Sequence, residues 1–212
     1  HAMIEKFGLS TFKDGVAEQL YMADREGRRI IGAIPDGTYS YTDYLDEDSP
    51  GGLPARLHLD LTIKGEEAVM DFSGSDPQLA ASLNMPTGGN PRHILLMVGY
   101  NYVIYTPDTS VLLNGRLLRP VTATAPEGSM LNPVFPAAVG MRSMTCSRVQ
   151  GVIIGAFQRA VPGKLPAASA SGGPIMNVNT TDNRTGKRVM ASIDPITGGA
   201  GGAPDADGMD GS

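Results

Sequence analysis

A single cysteine, Cys146, stands in the whole sequence, so no internal disulfide can form and a secreted domain stapled by such bonds is excluded. The same scarcity favours a reducing, cytoplasmic setting. Cys146 opens an apolar-periodic run with no histidine near it, and it reads as a small buried residue rather than a nucleophile. Histidine is nearly as scarce, with three in all. One of them lies in His1-Ala2-Met3, which has neither the basic nor the apolar region of a signal peptide and reads as a cloning remnant. No metal site is expected from so few ligands. Basic clusters are missing as well: adjacent basic residues occur only as the pairs Arg28-Arg29 and Lys187-Arg188, and the net charge is -5, which argues against binding a phosphate backbone and so against nucleic acid. No apolar run approaches the roughly 20 residues needed to span a bilayer. Also lacking are a phosphate-binding glycine loop with its lysine, a His-Glu-x-x-His helix, a Cys-x-x-Cys pair and a Gly-x-Ser-x-Gly elbow.

What is abundant is glycine (27) and proline (16), which favours turns and irregular loops over long helices. Ser10 or Thr11 can cap a first helix, whose stripe Phe12, Val16, Leu20 and Ala23 runs to a stop at Gly27. Arg29 to Ile34 then reads as extended, followed by a Pro35-Asp36-Gly37 turn and a strand at Thr38–Tyr41. The clearest strand is Arg56 to Lys64: Leu57, Leu59, Leu61 and Ile63 point one way, while His58, Asp60, Thr62 and Lys64 point the other, which makes His58 a surface residue. Gly65-Glu66-Glu67 turns it into an antiparallel partner over Ala68–Phe72. Asn90-Pro91 is expected to open a second helix with the stripe Ile94, Leu95, Val98 and Tyr102, ending near Tyr105 before Thr106-Pro107. A short strand is expected at Val121–Thr124. A third helix carries Val149, Val152, Ile153, Ala156, Phe157 and Ala160 and ends at Pro162-Gly163. Ala167 to Gly173 reads as a loop of small residues, and strands at Ile175–Asn179 and Arg188–Ile193 complete the set. With no internal repeat and no linker, residues 1–212 form one α+β segment of antiparallel sheets with about three helices and irregular Gly/Pro-rich loops.

Four places could carry chemistry. Asp43 to Gly52 has the carboxylates of a hard-cation loop without the spacing of one, and reads as a solvated loop. Gly198 to Gly202 could cradle an anion, but no helix or lysine follows, and a flexible loop fits better. Asp205, Asp207 and Asp210 resemble part of a calcium loop that lacks its terminal glutamate. Asp71-Phe72-Ser73-Gly74-Ser75 places a carboxylate and two hydroxyls at a strand end: either a functional group or the closure of a local turn.

The order of motifs resembles the hydantoinase B/oxoprolinase family over nearly the whole chain. The resemblance is carried by Pro35-Asp36-Gly37-Thr38-Tyr39, Asp43-Tyr44-Leu45-Asp46, Asp71 to Ser75, Leu83-Asn84, Asn114-Gly115 with Arg119-Pro120, Pro126-Glu127-Gly128-Ser129, Asn132-Pro133 and Phe135 to Val139. The helix from Ser147 onward and Gly198-Gly199 with Asp207-Gly208 continue it. The resemblance implies part of a subunit of an ATP-dependent enzyme that hydrolyses cyclic amides, in a hetero-oligomer. ATP and Mg would sit on a hydantoinase A-type ATPase partner. An acetone/acetophenone-type carboxylase acting on a ketone, or a non-catalytic assembly domain of such a complex, is the alternative. Family chains are longer, and a divalent metal would belong to an N-terminal region absent here, which would leave this segment incomplete alone. The resemblance points to Asp71, Ser73 and Glu127 as catalytic candidates, and to Asn84, Asn114 and Arg119 for substrate binding or an interface. Arg119 would suit an anion or the partner surface, unless it only pairs with a carboxylate such as Glu127.

Overall fold

The computed structural model describes residues 1–46, 52–105, 108–111, 113–170, 176–193 and 198–211. Two helices, α1 (Ala2–Phe7) and α2 (Leu9–Gly32), lead into the strands β1 (Gly37–Leu45), β2 (Ala55–Lys64) and β3 (Glu67–Asp71). After a short helix α3 (Tyr100–Tyr105) come β4 (Val121–Thr124), the long helix α4 (Arg142–Ala160) and a separate hairpin, β5 (Met176–Thr181) with β6 (Arg188–Ile193). The main sheet has the order β1-β2-β3-β4. Its class is the α+β expected, with one correction: β4 joins β3 in parallel, so the sheet is not wholly antiparallel.

Strict alternation makes β2 the spine of this sheet. Leu57, Leu59, Leu61 and Ile63 are buried, and the register of β1 sets Tyr39, Tyr41 and Asp43 on the same face. Helix α4 covers that face with Val149, Val152, Ile153, Ala156 and Phe157. Gly155 makes the approach possible, since a Cβ there would lie 2.7 Å from the Tyr41 ring. Asp43 is half-buried beside α4 and pairs with Arg148 at 3.1 Å. Most of the acidic stretch after it, residues 47–51, lies outside the described residues, as do 106–107, 112, 171–175 and 194–197.

Helix α2 does not stop at Gly27, and the extended segment expected from Arg29 is helical through Gly32. Gly27 serves packing instead. The Leu117 carbonyl of a 3-10 turn, Gly115–Leu118, comes so near that a Cβ would lie 2.7 Å from its oxygen. Ala23, Gly27, Ile30 and Ile31 form the buried stripe, while Phe12 and Val16 further up the same helix stay exposed.

The expected helix from Asn90 is broken. Asn90 Oδ1 accepts from the Arg92 N–H in a local turn, a 3-10 turn covers Ile94–Leu96, and α3 begins only at Tyr100. Gly99, between them, lets α4 pack close: an ideal Cβ there would lie 2.7 Å from the Gln150 carbonyl oxygen and 2.8 Å from the Ile153 side chain. The phase shifts accordingly: Leu96, Met97, Tyr100, Val103 and Ile104 are buried, whereas Ile94 and Tyr102 of the expected stripe are exposed. Cys146 is half-buried against the core, and burial pushes its thiol pKa up, away from nucleophilic character. Among the described residues no helix is long and apolar enough to cross a membrane.

Candidate functional site

The outer face of the main sheet carries a continuous polar network. The two-residue turn Gly65-Glu66 pairs Lys64 with Glu67, and period-two alternation then sets Asp60 opposite Asp71. The β1 register adds Ser40 opposite Asp60 and Thr42 opposite His58, and β4 adds Thr124 beside Asp71. One row therefore reads Ser40, Asp60, Asp71, Thr124 across four strands, with Thr42 and His58 alongside.

His58 is the centre of this face. Its Nδ1 lies 2.7 Å from the Thr42 hydroxyl and its Nε2 lies 3.3 Å from Asp60 Oδ1. The Ser40 hydroxyl donates to the same Asp60 oxygen. With a neutral imidazole the three bonds are satisfied when Thr42 donates to Nδ1 and Nε2–H donates to Asp60. The Ser40 bond, followed by the His58 bond, holds the Asp60 pKa below the ordinary carboxylate range, against the opposing effect of partial burial. The loop after β3 folds over the ring. Ser75 Oγ accepts from the His58 N–H at 3.0 Å and donates to its carbonyl at 3.2 Å. Gly74 lies so close that any Cβ would meet the ring at 2.4 Å. The imidazole side chain is left 16% exposed. Thr42, His58, Asp60 and Ser40 thus form one hydrogen-bonded chain beside the second carboxylate of Asp71.

The six candidates named from the sequence do not gather in one place. Asp71 ends β3, where its Oδ1 accepts from the Ser73 N–H at 2.9 Å and hydroxyl at 2.6 Å, closing a turn beside the network. Glu127 is exposed in the loop after β4, at the same end of the parallel pair, and that loop returns to the one after β3 through the Gln78 N–H to Gly128 carbonyl bond. Asn84 is elsewhere and fully buried. Its Oδ1 accepts from the Leu79 N–H at 2.8 Å and its amide donates to the carbonyls of Leu79, Ala81 and Ala138 at 2.9 to 3.0 Å. Its polar capacity is spent on backbone, and it ties the 79–81 segment to the 138 loop. Asn114 is no plain tight turn: its Oδ1 caps the 3-10 turn by accepting from the Arg116 N–H at 3.0 Å, and its amide reaches the Gln19 carbonyl of α2. Arg119 pairs with Asp24 of α2 at 3.3 Å, not with Glu127. Asp24 also holds Arg28.

Sequence alone misses this network because alternation marks His58 and Asp60 only as polar-face residues. The hairpin turn that aligns Asp60 with Asp71 is the signal that could have found it. For a nucleotide, the glycine arm fits poorly: the Ala200 N–H donates to the Met209 carbonyl and the Gly201 N–H to Ser169 Oγ, leaving those donors spent. Among the described residues no three His, Cys, Asp or Glu side chains are grouped to hold a metal ion, the aspartates of 205–210 included.

The chain belongs to the hydantoinase B/oxoprolinase family, whose sequence profile matches residues 1–212. It is 27% identical over 223 residues to the B-type subunit of a putative D-/L-hydantoinase from a Pseudomonas species, a match that takes in 98% of this chain and 36% of that relative. The fold is similar to that of an ATP-dependent caprolactamase from Pseudomonas jessenii, with a TM-score of 0.80 and 24% identity over 99% of this chain and 36% of that one. Nucleotide-free acetone carboxylase gives a TM-score of 0.76 at 14% identity, over 98% of this chain and 29% of that one. At these identities the two structures speak for the fold. The chain spans about a third of the length of the hydantoinase relative it matches.

Proposed function

We propose that this chain is part of a hydantoinase B-type subunit of an ATP-dependent enzyme that hydrolyses cyclic amides of the hydantoin, oxoproline or lactam kind. It works in a cytoplasmic hetero-oligomer with a hydantoinase A-type ATPase subunit. The observation that carries this reading is the family match over the full chain, supported by likeness of fold to an ATP-dependent caprolactamase. ATP and Mg belong to the partner in this reading, in keeping with a glycine arm whose Ala200 and Gly201 N–H groups are already bonded within the chain. Bound there, ATP would phosphorylate the amide oxygen and make the ring carbon open to attack by water.

Within this reading the chain's own contribution is proton handling and docking. His58, oriented by Thr42 and Asp60, is the candidate for exchanging a proton with a reacting group on this face. Asp71, Ser73 and Glu127, at the ends of β3 and β4, are the catalytic candidates on the same side. Asn114 and Arg119, both bonded to α2, belong to the surface that meets the ATPase subunit. In the complete complex, Asp71→Ala and Glu127→Ala lower ATP-dependent ring opening of hydantoin, oxoproline or a lactam, while Arg119→Ala weakens assembly. A complex that opens no cyclic amide in the presence of ATP refutes the reading. Unchanged turnover in both Asp71→Ala and Glu127→Ala refutes the site.

A second reading, a ketone carboxylase segment, is favoured by the likeness to acetone carboxylase. It predicts ATP consumption that requires both acetone and bicarbonate, with no ring opening.

A further inference from the structure

Strand β3 leaves β2 just before it would reach His58. Their pairing ends at Asp60 opposite Asp71, and the same register carried on would set Ser73 beside His58. Instead Phe72 turns to β4, its N–H bonded to the Thr124 carbonyl, and residues 73–76 return to β2 as a loop. Side chains there take the place of a strand. Ser75 Oγ accepts from the His58 N–H at 3.0 Å and donates to the His58 carbonyl at 3.2 Å. Asp76 Oδ2 accepts from the Arg56 N–H at 2.7 Å, and the Asp76 N–H donates to the Arg56 carbonyl at 3.0 Å. The Ser75 N–H closes the loop on itself by donating to the Phe72 carbonyl at 2.9 Å.

We infer that this loop is a clasp that positions the His58 imidazole, with Ser75 fastening it and Gly74 touching the ring. The inference rests on the proton-exchange role proposed for His58 and adds the residues that act through it.

The backbone at Gly74 does not call for glycine, since its φ is not positive. The ring does: a Cβ there would overlap the imidazole Cδ2 and stand 2.9 Å from Cγ. Both bonds of the Ser75 hydroxyl fall on the backbone of residue 58 itself, so the cover is fastened to the residue it covers. An uncovered strand histidine stands in water and changes rotamer freely. Here the side chain is 16% exposed, with Nδ1 facing Thr42 and Nε2 facing Asp60. Thr42 and Asp60 supply the partners, and the clasp keeps the ring between them. An acid–base group already held in its working geometry spares the reaction the entropy of ordering it.

The test is a 1H–15N spectrum of the histidine rings in mildly alkaline buffer, where imidazoles are neutral. A ring N–H open to water exchanges too fast to be seen, so a sharp Nε2–H signal from His58 requires the cover. The signal is expected in the parent, together with a nuclear Overhauser contact between Gly74 Hα and His58 Hδ2. Ser75→Thr, which keeps the hydroxyl, retains both. Ser75→Ala and Gly74→Ala lose the signal, while His93, whose Nδ1 accepts from the Leu95 N–H, and the amides of α4 keep their shifts and show that the fold persists. No His58 signal in the parent, or an equal one in Ser75→Ala and Gly74→Ala, overturns the inference. In the complete complex, Ser75→Ala lowers kcat for ring opening by roughly tenfold with KM unchanged, as misaiming an acid–base group does, and Ser75→Thr restores it. Loss of the ring signal with kcat unchanged upholds the clasp and sinks the proton role of His58. A parent complex that opens no ring sinks the functional reading and leaves the clasp standing on the ring signal.

Discussion

Replacing Asn84 separates a structural clamp from a substrate contact. Two amide N–H groups are shared among three carbonyls, and one oxygen accepts from Leu79, all around a side chain with no exposed surface. Sharing makes this worth about three full bonds, each contributing roughly 1 kcal/mol net. Asn84→Ala should therefore cost about 3 kcal/mol, and would cost more if the Ala138 segment could not turn its carbonyl to water. For a chain of this size, thermal unfolding should fall by roughly 6–12 °C. Circular dichroism on heating, with urea unfolding as a second measure, reads the effect. Asn84→Asp sharpens the test, because it sets a carboxylate oxygen against three carbonyls at no change in shape. Those carbonyls raise the folded-state pKa of the new group above its unfolded value. The variant is then least harmed in acid, and its stability falls as pH rises through that folded pKa. A melting temperature within about 2 °C of the parent for Asn84→Ala, with loss of ring opening in the complex, would refute the clamp and restore a substrate role.

Glycines where α4 and α2 meet neighbouring elements give a graded set. Gly155→Ala and Gly27→Ala each put a Cβ 2.7 Å from a neighbour, a flexible ring in one case and the Leu117 backbone in the other. Both lose stability by about 1–3 kcal/mol, Gly27→Ala the more, despite alanine's better helix propensity. Gly15→Ala, with nothing within 4 Å, should instead gain roughly 0.5–1 kcal/mol in urea unfolding. The lowered pKa of Asp60 means a stabilising contribution present above the ordinary aspartate pKa and lost as pH falls through the folded one. Ser40→Ala, which removes the larger cause, moves the carboxyl titration followed by 13C NMR back toward the ordinary range. Alkylation of Cys146 by iodoacetamide at mildly alkaline pH should be slow in the folded chain and speed up on unfolding in urea, because burial holds the thiol protonated.

Period and turn chemistry determined a good deal here without any tertiary knowledge. The alternation of Arg56–Lys64 produced β2 with its leucines buried, the Gly65-Glu66 turn produced the hairpin, and the stripe from Val149 to Ala160 produced α4, which ends just before Pro162. These patterns are local, and each element carries its own apolar face, so neighbours in sequence suffice to specify them. The motif order also led to the family that the whole-chain match identifies. Tertiary structure alone decided what depends on segments far apart. Gly27 looked like a helix stop, but the Leu117 carbonyl needs the space a side chain would fill, so α2 runs on. The second helix is broken between Leu96 and Tyr100, and Gly99 in that break leaves α4 the room to pack close. β4 enters parallel to β3 because it closes the sheet after a long crossover. Asn84 looked like a polar residue free to meet a ligand until the Ala138 loop closed over it. His58 looked like a surface residue until the loop at Gly74 and Ser75 covered it and the β1 register brought Thr42 to its ring. In each case a polar or flexible residue has several local uses, and only a partner brought from far along the chain chooses among them.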